Sequence, residues 1–382
     1  MSAIRPFQHT PSSPVVFGAG CSAGIVDKTL LKRASKILVV TDRGVVAAGL
    51  LDPIVKALGD RLHPAIDDAV VPDGDCAHVD VVAARAKAAG VDAVLALGGG
   101  SVMDSAKGIC MAMAKGVPVS TLEGVATLRT KLAPLVCVPT TTGTGSEATQ
   151  FAVLMDRQAG KKRIYVDQNL VPALALLDPA LVVGLPASVT CATAVDALTH
   201  ALEALASKMR NPLATAQALE AVRLLIPSGA LARSLAKPDD VDARGDCMVA
   251  AHLAGRAVSS AMLGACHALA HVLGARCAVP HGVANGLFLV PVLRHNASKS
   301  IGAYQRLAQT VNAVDVDGAI AVVDEFVHGV AGIPRRLRDV APGLAQEELP
   351  LLAKAAFVDP DLPTNPAVLD EAGLLTILRQ RW

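Results

Sequence analysis

Apolar residues in the first half of the chain fall in short uninterrupted runs: "KILVVTD" at 36–42, "DAVLALGGGS" at 92–101, "LAPLVCVPTTT" at 132–142 and "PALALLD" at 172–178. Strands covered on both faces read this way, because neither face is left for polar residues. Ala-rich helical stretches separate the runs, and that alternation predicts a parallel sheet flanked by helices. From about Pro186 the pattern changes. In "ATAVDALTHALEALASKM" and "NPLATAQALEAVRLLIPSGALARSLA" the apolar residues recur at three- and four-residue intervals, which predicts amphipathic helices. Pro186, Pro212, Pro227, Pro280, Pro291 and Pro334 punctuate that second half. At 382 residues the chain is long enough for two domains, and the change of pattern places them at 1–185, α/β, and 186–382, all helical. No internal repeat or low-complexity segment interrupts either half.

Composition narrows the partners. Hydrophobic residues make up 52% of the chain, yet no apolar run reaches the eighteen or so residues that crossing a bilayer requires. A protein that neither spans nor lies on a membrane is expected. The formal net charge of +1 and the lack of any block of like charges argue against nucleic acid, whose phosphates call for a basic stripe. Prolines and polar residues break up "MSAIRPFQHTPSSPVVFGAG" before any leader-length apolar stretch, so cytoplasmic residence is expected. Eight cysteines at 21, 76, 110, 137, 191, 247, 266 and 277 form no CxxC and read as reduced, buried small hydrophobes.

The second half holds a concentration of imidazoles that an apolar helix does not need for folding. Asp196 and His200 in "VDALTHALEAL" are spaced i, i+4 and project from one helix face. His267 and His271 in "GACHALAHVLGARCAVPHG" repeat that spacing, and His281 follows between Pro280 and Gly282, where a tight turn beyond the helix end is expected. Buried singly, each histidine is explained by a hydrogen bond to backbone. Together with a carboxylate they suit a divalent metal such as iron(II) or zinc. Spacing alone makes His271 as good a ligand as His267.

In the first half, "LGGGSVMDSAKG" at 97–108 follows a strand and opens a helix, so its glycines would let backbone amides approach a phosphate. It lacks the GxGxxG spacing, and a plain turn explains it equally. "VPTTTGTGSEAT" at 138–149 adds hydroxyls suited to ribose and phosphates, or to capping the next helix. Asp42 ends the strand run at 36–42, where a carboxylate grips a ribose 2'-hydroxyl and disfavours a 2'-phosphate, or else caps a helix. Arg43 beside it would accommodate that phosphate.

The set "GGGSVMDSAKG", "PTTTGTGSEAT", "DPALVVGLPASVTCATAVDALTHALEA" and "HALAHVLGARCAVPHGVANG" resembles the iron-containing (group III) alcohol dehydrogenase family, in particular its members similar to lactaldehyde reductase and 1,3-propanediol dehydrogenase. The resemblance runs from "VVFGAG" at 15–20 to the closing "RQRW". It implies a Rossmann-like nucleotide-binding domain, an all-α metal-binding domain, and reversible hydride transfer between NAD(H), with NADP the lesser choice, and a small alcohol, aldehyde or ketone. It implies one cation, Fe2+ in preference to Zn2+, acting as a Lewis acid on the substrate oxygen and held by Asp196, His200, His267 and His281. It turns His271 toward substrate or nicotinamide as a catalytic proton relay, with a helix-fixing hydrogen bond as the rival role. It puts Asp42, Gly98, Gly99, Ser101, Asp104, Thr140, Thr141, Thr144 and Lys162 in or near the cofactor site, and it implies a homodimer.

Three departures from the family's pattern stand out. Val258 and Ser260 replace a phenylalanine and an asparagine of "AFxNxxLGxxH", which predicts a smaller, differently polar pocket wall. Asp73 in "VPDGD" replaces the asparagine of "PNP". Only nine aromatic residues are present, so stacking contributes little to substrate choice. Two other functions share much of this pattern: a lyase resembling dehydroquinate synthase, which uses NAD transiently, and a non-catalytic scaffold that binds metal and nucleotide.

Overall fold

Each of the four apolar runs contains a strand of one parallel sheet. The computed structural model describes residues 6–25, 30–59 and 62–382; residues 1–5, within the stretch read above for a leader, lie outside the described residues. The first half runs β1 (Val15–Phe17), β2 (Ile37–Val40), α1 (Arg43–Ala47), α2 (Leu51–Leu58), β3 (Ala65–Asp67), α3 (Cys76–Ala89), β4 (Ala93–Gly98), α4 (Gly100–Lys115), β5 (Gly124–Val125), β6 (Leu135–Pro139), β7 (Phe151–Asp156), β8 (Lys161–Val166) and β9 (Leu174–Leu177). The six-stranded sheet has the order β1-β9-β6-β4-β2-β3 with every pair parallel.

Alternate residues of β2, β4 and β6 enter opposite cores. Leu38, Val40, Val94, Ala96 and Cys137 pack with α3 and α4, whereas Ile37, Val39, Leu95, Leu97, Val136 and Val138 pack with α1 and α2. Both faces being covered, the strands carry no polar alternation. The chain leaves β2 toward β3 and returns to the other side of β2 as β4, so the strand order reverses between β2 and β4. Loops at the carboxyl ends of strands beside such a reversal are where open α/β sheets take ligands.

A hairpin absent from the sequence reading follows β6. β7 and β8 pair antiparallel across a turn containing Gly160 at φ 66°, and β7 alternates buried and half-buried residues. In the sequence its first strand, "FAVLMD", is one more short apolar run, with no alternation to set it apart.

From Pro186 onward every regular element among the described residues is helical: α5 (Ala187–Ala206), α6 (Pro212–Leu225), α7 (Ala230–Ala236), α8 (Val241–Ala261), α9 (Ala265–Cys277), α10 (His281–Asn296), α11 (Ile301–Thr310), α12 (Val316–Asp324), a π-turn at Glu325–Val330, α13 (Leu337–Val340), α14 (Leu349–Phe357) and α15 (Glu371–Gln380), with short 3-10 turns between some of them. The chain divides into two compact units. The sheet unit comprises Pro11–Leu185 and Pro238–Met248; the helical unit comprises the residues up to Thr10, Pro186–Lys237 and Val249–Trp382. Among the described residues no single helix is long and apolar enough to cross a membrane; α8 and α9 reach that measure only as a pair bent by 106°.

One local expectation needs correcting. The turn after α9 is made by residues 278–280, with Ala278 at φ 54°, and His281 is the first residue of α10, behind Pro280 as N-cap. Proline cannot donate to a preceding turn and its fixed φ suits a helix start, so the helix begins one residue after it.

Candidate metal and cofactor sites

On α5, Asp196, His200 and Glu203 stand at i, i+4 and i+7 of a helix buried continuously from Ala194 to Ala206. That spacing aims all three from one face. α9 contributes His267 and α10 contributes His281 and Asn285. These helices come close because Gly282 has no side chain: a Cβ there would lie 1.9 Å from the Ala192 carbonyl oxygen.

The Oδ1 of Asp196 lies 3.9 Å from His200 Nε2, 3.8 Å from His267 Nε2 and 3.5 Å from His281 Nε2. Ligand atoms around a tetrahedral cation with bonds of ~2.1 Å are about 3.4 Å apart, so the separations observed are close to those a cation requires. His200 Nδ1 is buried without a hydrogen-bond partner. His267 is held well below the usual imidazole range by burial and by the neighbouring imidazoles of His200 and His271, so it stays neutral, the form that ligates. Three neutral nitrogens and one carboxylate fit a divalent iron or zinc ion.

Glu203, which the sequence reading passed over, supports this set. Its Oε2 is 2.6 Å from His267 Nδ1, and its Oε1 accepts from Cys266 N at 2.7 Å. Burial pushes the Glu203 carboxyl up to about 7, against those backbone hydrogen bonds. With Nδ1 occupied by Glu203, His267 turns its Nε2 lone pair toward Asp196; outer carboxylates commonly fix metal-binding imidazoles in this way. The signal was a glutamate inside the apolar run "THALEAL", on the Asp196 face.

His271 belongs to a second group. Its Nδ1 lies 3.0 Å from Asp359 Oδ2 and 3.7 Å from Asp361 Oδ2, and its ring stacks on that of His281 with centroids 5.5 Å apart. Among the described residues, the groups of three whose ligand atoms lie close enough to hold one metal ion are Asp196, His200 and His267, and His271, Asp359 and Asp361. Burial raises the Asp359 carboxyl, but its hydrogen bond with His271 and the imidazole charge outweigh that and the net shift is downward. Asp361 is pushed up to about 7 by burial, with His271 opposing and the Asp359 charge adding to the rise. The acids lie 88 and 90 positions beyond His271, which is why spacing did not reveal them.

In the sheet unit the loops after β4 and β6 emerge side by side, Gly98 paired with Pro139. A Cβ on Gly98 would meet Val102 at 2.5 Å, one on Gly99 would meet Thr141 at 3.1 Å, and one on Gly100 would meet Thr144 at 2.7 Å. Gly99 and Gly100 therefore let the two loops touch each other, and Gly98 makes room for Val102 of α4. α4 starts at this point with no side chain capping its N-terminus, which leaves a helix-end set of amides suited to an anion. Thr141 Oγ1 and Thr142 Oγ1 are buried without a hydrogen-bond partner, as hydroxyls awaiting a polar ligand would be.

The remaining predicted residues divide by contact. Ser101 Oγ accepts from Asp73 N at 2.9 Å, and Lys162 Nζ sits 2.8 Å from Asp73 Oδ1. Asp73 takes φ 63°, a left-handed conformation that Asp tolerates better than most residues. Thr140 N donates to Gly98 O. Asp42 caps α1, accepting from Val45 N at 2.9 Å. Asp104 has both oxygens engaged within the fold, one by Ser146 Oγ at 2.6 Å and the other by Val153 N at 3.0 Å. Fully buried Lys107, also overlooked, donates to Ser146 O, Thr149 O and Phe151 O at 2.8, 3.0 and 2.6 Å, so α4 holds the second loop through both residues. In α8, Val258 is buried and Ser260 Oγ accepts from Thr10 N.

Residues 12–179 match the family "Iron-containing alcohol dehydrogenase", and residues 190–382 match "Fe-containing alcohol dehydrogenase family, C-terminal". The chain is 33% identical over 391 residues to 1,3-propanediol dehydrogenase of Klebsiella pneumoniae, covering 100% of both sequences. It is similar to the crystal structure of a 1,3-propanediol oxidoreductase at TM-score 0.93 and 33% identity, covering 99% of this chain and 100% of that one. It is also similar to a sulfoacetaldehyde reductase from Bifidobacterium kashiwanohense in complex with NAD+, at TM-score 0.89 and 26% identity, covering 99% of each. The chain belongs to the iron-containing alcohol dehydrogenase family. It is an oxidoreductase of alcohols and aldehydes.

Proposed function

We propose that Asp196, His200, His267 and His281 hold one divalent cation, iron(II) in preference to zinc, and that the chain moves hydride reversibly between NAD(H) and a short-chain alcohol, diol or hydroxyaldehyde. The observation that carries the reading is the convergence of three imidazole Nε2 atoms within 3.9 Å of one buried carboxylate oxygen. When bound, such a cation supplies Lewis acidity toward a substrate oxygen.

The chain's own groups do the rest. Asp196 contributes negative charge, neutral His267 contributes an oriented lone pair, and Glu203 fixes its tautomer. His271, paired through Nδ1 with Asp359, moves the alcohol proton toward solvent; a carboxylate on one ring nitrogen fixes which nitrogen exchanges that proton.

The cofactor residues are Gly98, Gly99, Ser101, Thr140, Thr141, Thr144 and Lys162 around the start of α4, with Asp104 anchoring the second loop and Asp42 disfavouring the 2'-phosphate of NADP. NAD+ is the nucleotide named for the Bifidobacterium reductase, and the propanediol enzymes point to a small diol or aldehyde. A cytoplasmic homodimer completes the reading, supported by eight free cysteines and by the frequency of two-fold assembly.

The test is NADH absorbance with a series of short alcohols, diols and aldehydes, on protein purified without air and reconstituted with iron or zinc. Metal-dependent NADH formation is expected. Substrate turned over with catalytic NAD and no net NADH would point instead to a lyase, and no change with any substrate to a scaffold.

A further inference from the structure

Three of the four atoms assigned to the cation converge on one neutral amide. Asn285, fully buried on α10 one turn after His281, places Nδ2 2.8 Å from Asp196 Oδ1, 3.2 Å from His267 Nε2 and 3.2 Å from His281 Nε2. Its orientation is determined by its surroundings. Oδ1 faces the Cys266 thiol at 3.8 Å, and the same thiol donates to the Asn285 carbonyl oxygen at 3.2 Å. Reversing the amide would set its oxygen against a carboxylate oxygen and two imidazole nitrogens, one of which is already an acceptor because its ring is tied at Nδ1 to Glu203. The NH2 group therefore points at the ligands.

Each imidazole Nε2 has a single lone pair in the plane of its ring. That lone pair serves either the Asn285 amide or a cation. We propose that Asn285 is a positioning residue that acts as a placeholder: in the metal-free chain its two N–H bonds, shared among Asp196 Oδ1 and the Nε2 atoms of His267 and His281, hold these groups in their converging arrangement, and an arriving cation displaces it from both imidazoles. The inference rests on the four-ligand reading and deepens it. Asn285 competes with the metal, so it sets how tightly the ion is held and keeps the metal-free site from collapsing. A residue that only oriented ligands would have the opposite effect on affinity when removed.

The experiment uses cobalt(II), whose tetrahedral absorption bands report ligation, titrated into the metal-free full-length chain in competition with a chelator. N285L, similar in size but unable to donate, should lower the melting temperature of the metal-free protein and bind cobalt about tenfold more tightly, since the hydrogen bonds to the two imidazoles exist only in the metal-free state. N285D places two carboxylates together and should shift both quantities further in the same directions. Unchanged or weaker cobalt binding in both variants overturns the placeholder role. If the variants do not fold, the wild-type chain still decides: the side-chain NH2 resonance of Asn285 should move on adding zinc, and an unmoved resonance overturns the proposal. Wild-type protein that binds no cobalt, or H267A protein that binds it as well as wild type, sinks the four-ligand reading itself. Normal wild-type binding, lost in H267A but unaltered in N285L and N285D, sinks only the inference.

Discussion

In the helical unit, side chains from three helices meet around one carboxylate oxygen, and three of the four imidazoles have a further polar partner: Glu203 behind His267, Asp359 behind His271, Asn285 between His267 and His281. In the sheet unit the polar surface is largely main chain, two loops brought together by absent side chains at Gly99 and Gly100 and tied down by Asp104 and Lys107. On the proposed reading, the first arrangement would concentrate function in a few irreplaceable atoms. The second would distribute it over many amides, so that loss of a single hydroxyl should cost little while loss of an anchor should cost the whole loop.

Mutations can break this contrast or sharpen it. The largest effect is expected for H267A, which removes a ligand: metal content after dialysis should drop below stoichiometry and turnover should fall on the order of a thousandfold, with NADH binding, read by fluorescence titration, changed less than about twofold. Retained metal and turnover would show that the helical site does not depend on single side chains. Next is K107M in the sheet unit, where three carbonyl oxygens lose their donor; urea unfolding should show a loss of about 3 kcal/mol, and a loss under about 1 kcal/mol would mean that the loop is held by other means.

D361N bears on the second imidazole. The folded carboxyl, facing His271, Asp359 and Glu203, is raised from its ordinary value to about 7. A raised acid favours the protonated native state, so its stabilisation is complete below pH 4 and is lost as pH climbs through about 7. The substitution should flatten the stability profile across that window by on the order of 2 kcal/mol; an unchanged slope would place the titration elsewhere. G100V drives a side chain into Thr144 and should weaken NADH binding about tenfold while leaving metal content at wild-type levels. T141V should be the mildest, raising the KM for NAD about threefold, and a loss above about thirtyfold would make that loop as concentrated a site as the histidine cluster.

What could be read from the chain follows the range of the interaction. Asp196 with His200, and His267 with His271, were legible because a helix converts a spacing of four into proximity. The strands were legible from the apolar runs that two-sided burial imposes. Glu203 and Asn285 each carried a weaker form of the same signal, a polar residue on the buried face one turn from a histidine, and single polar residues in apolar helices have several uses. The pairing of His271 with Asp359 left no periodic trace, since tertiary folding alone brings α9 to the segment after α14. The glycine triplet was read as room for a phosphate; the structure shows that it is also room for Thr141 and Thr144. His281 was misplaced by one step of local geometry, Pro280 ending the turn and starting the helix.

The contact of Gly282 with Ala192 has an implication for how the ion is chosen. Since main chain meets main chain there, the gap between the two helices behaves as a gauge of fixed width that neither side-chain drift nor repacking can reset. If the four proposed ligands hold an ion, a change in the size it accepts would have to come from the length or chemistry of the groups reaching into the gap rather than from the spacing of these two helices.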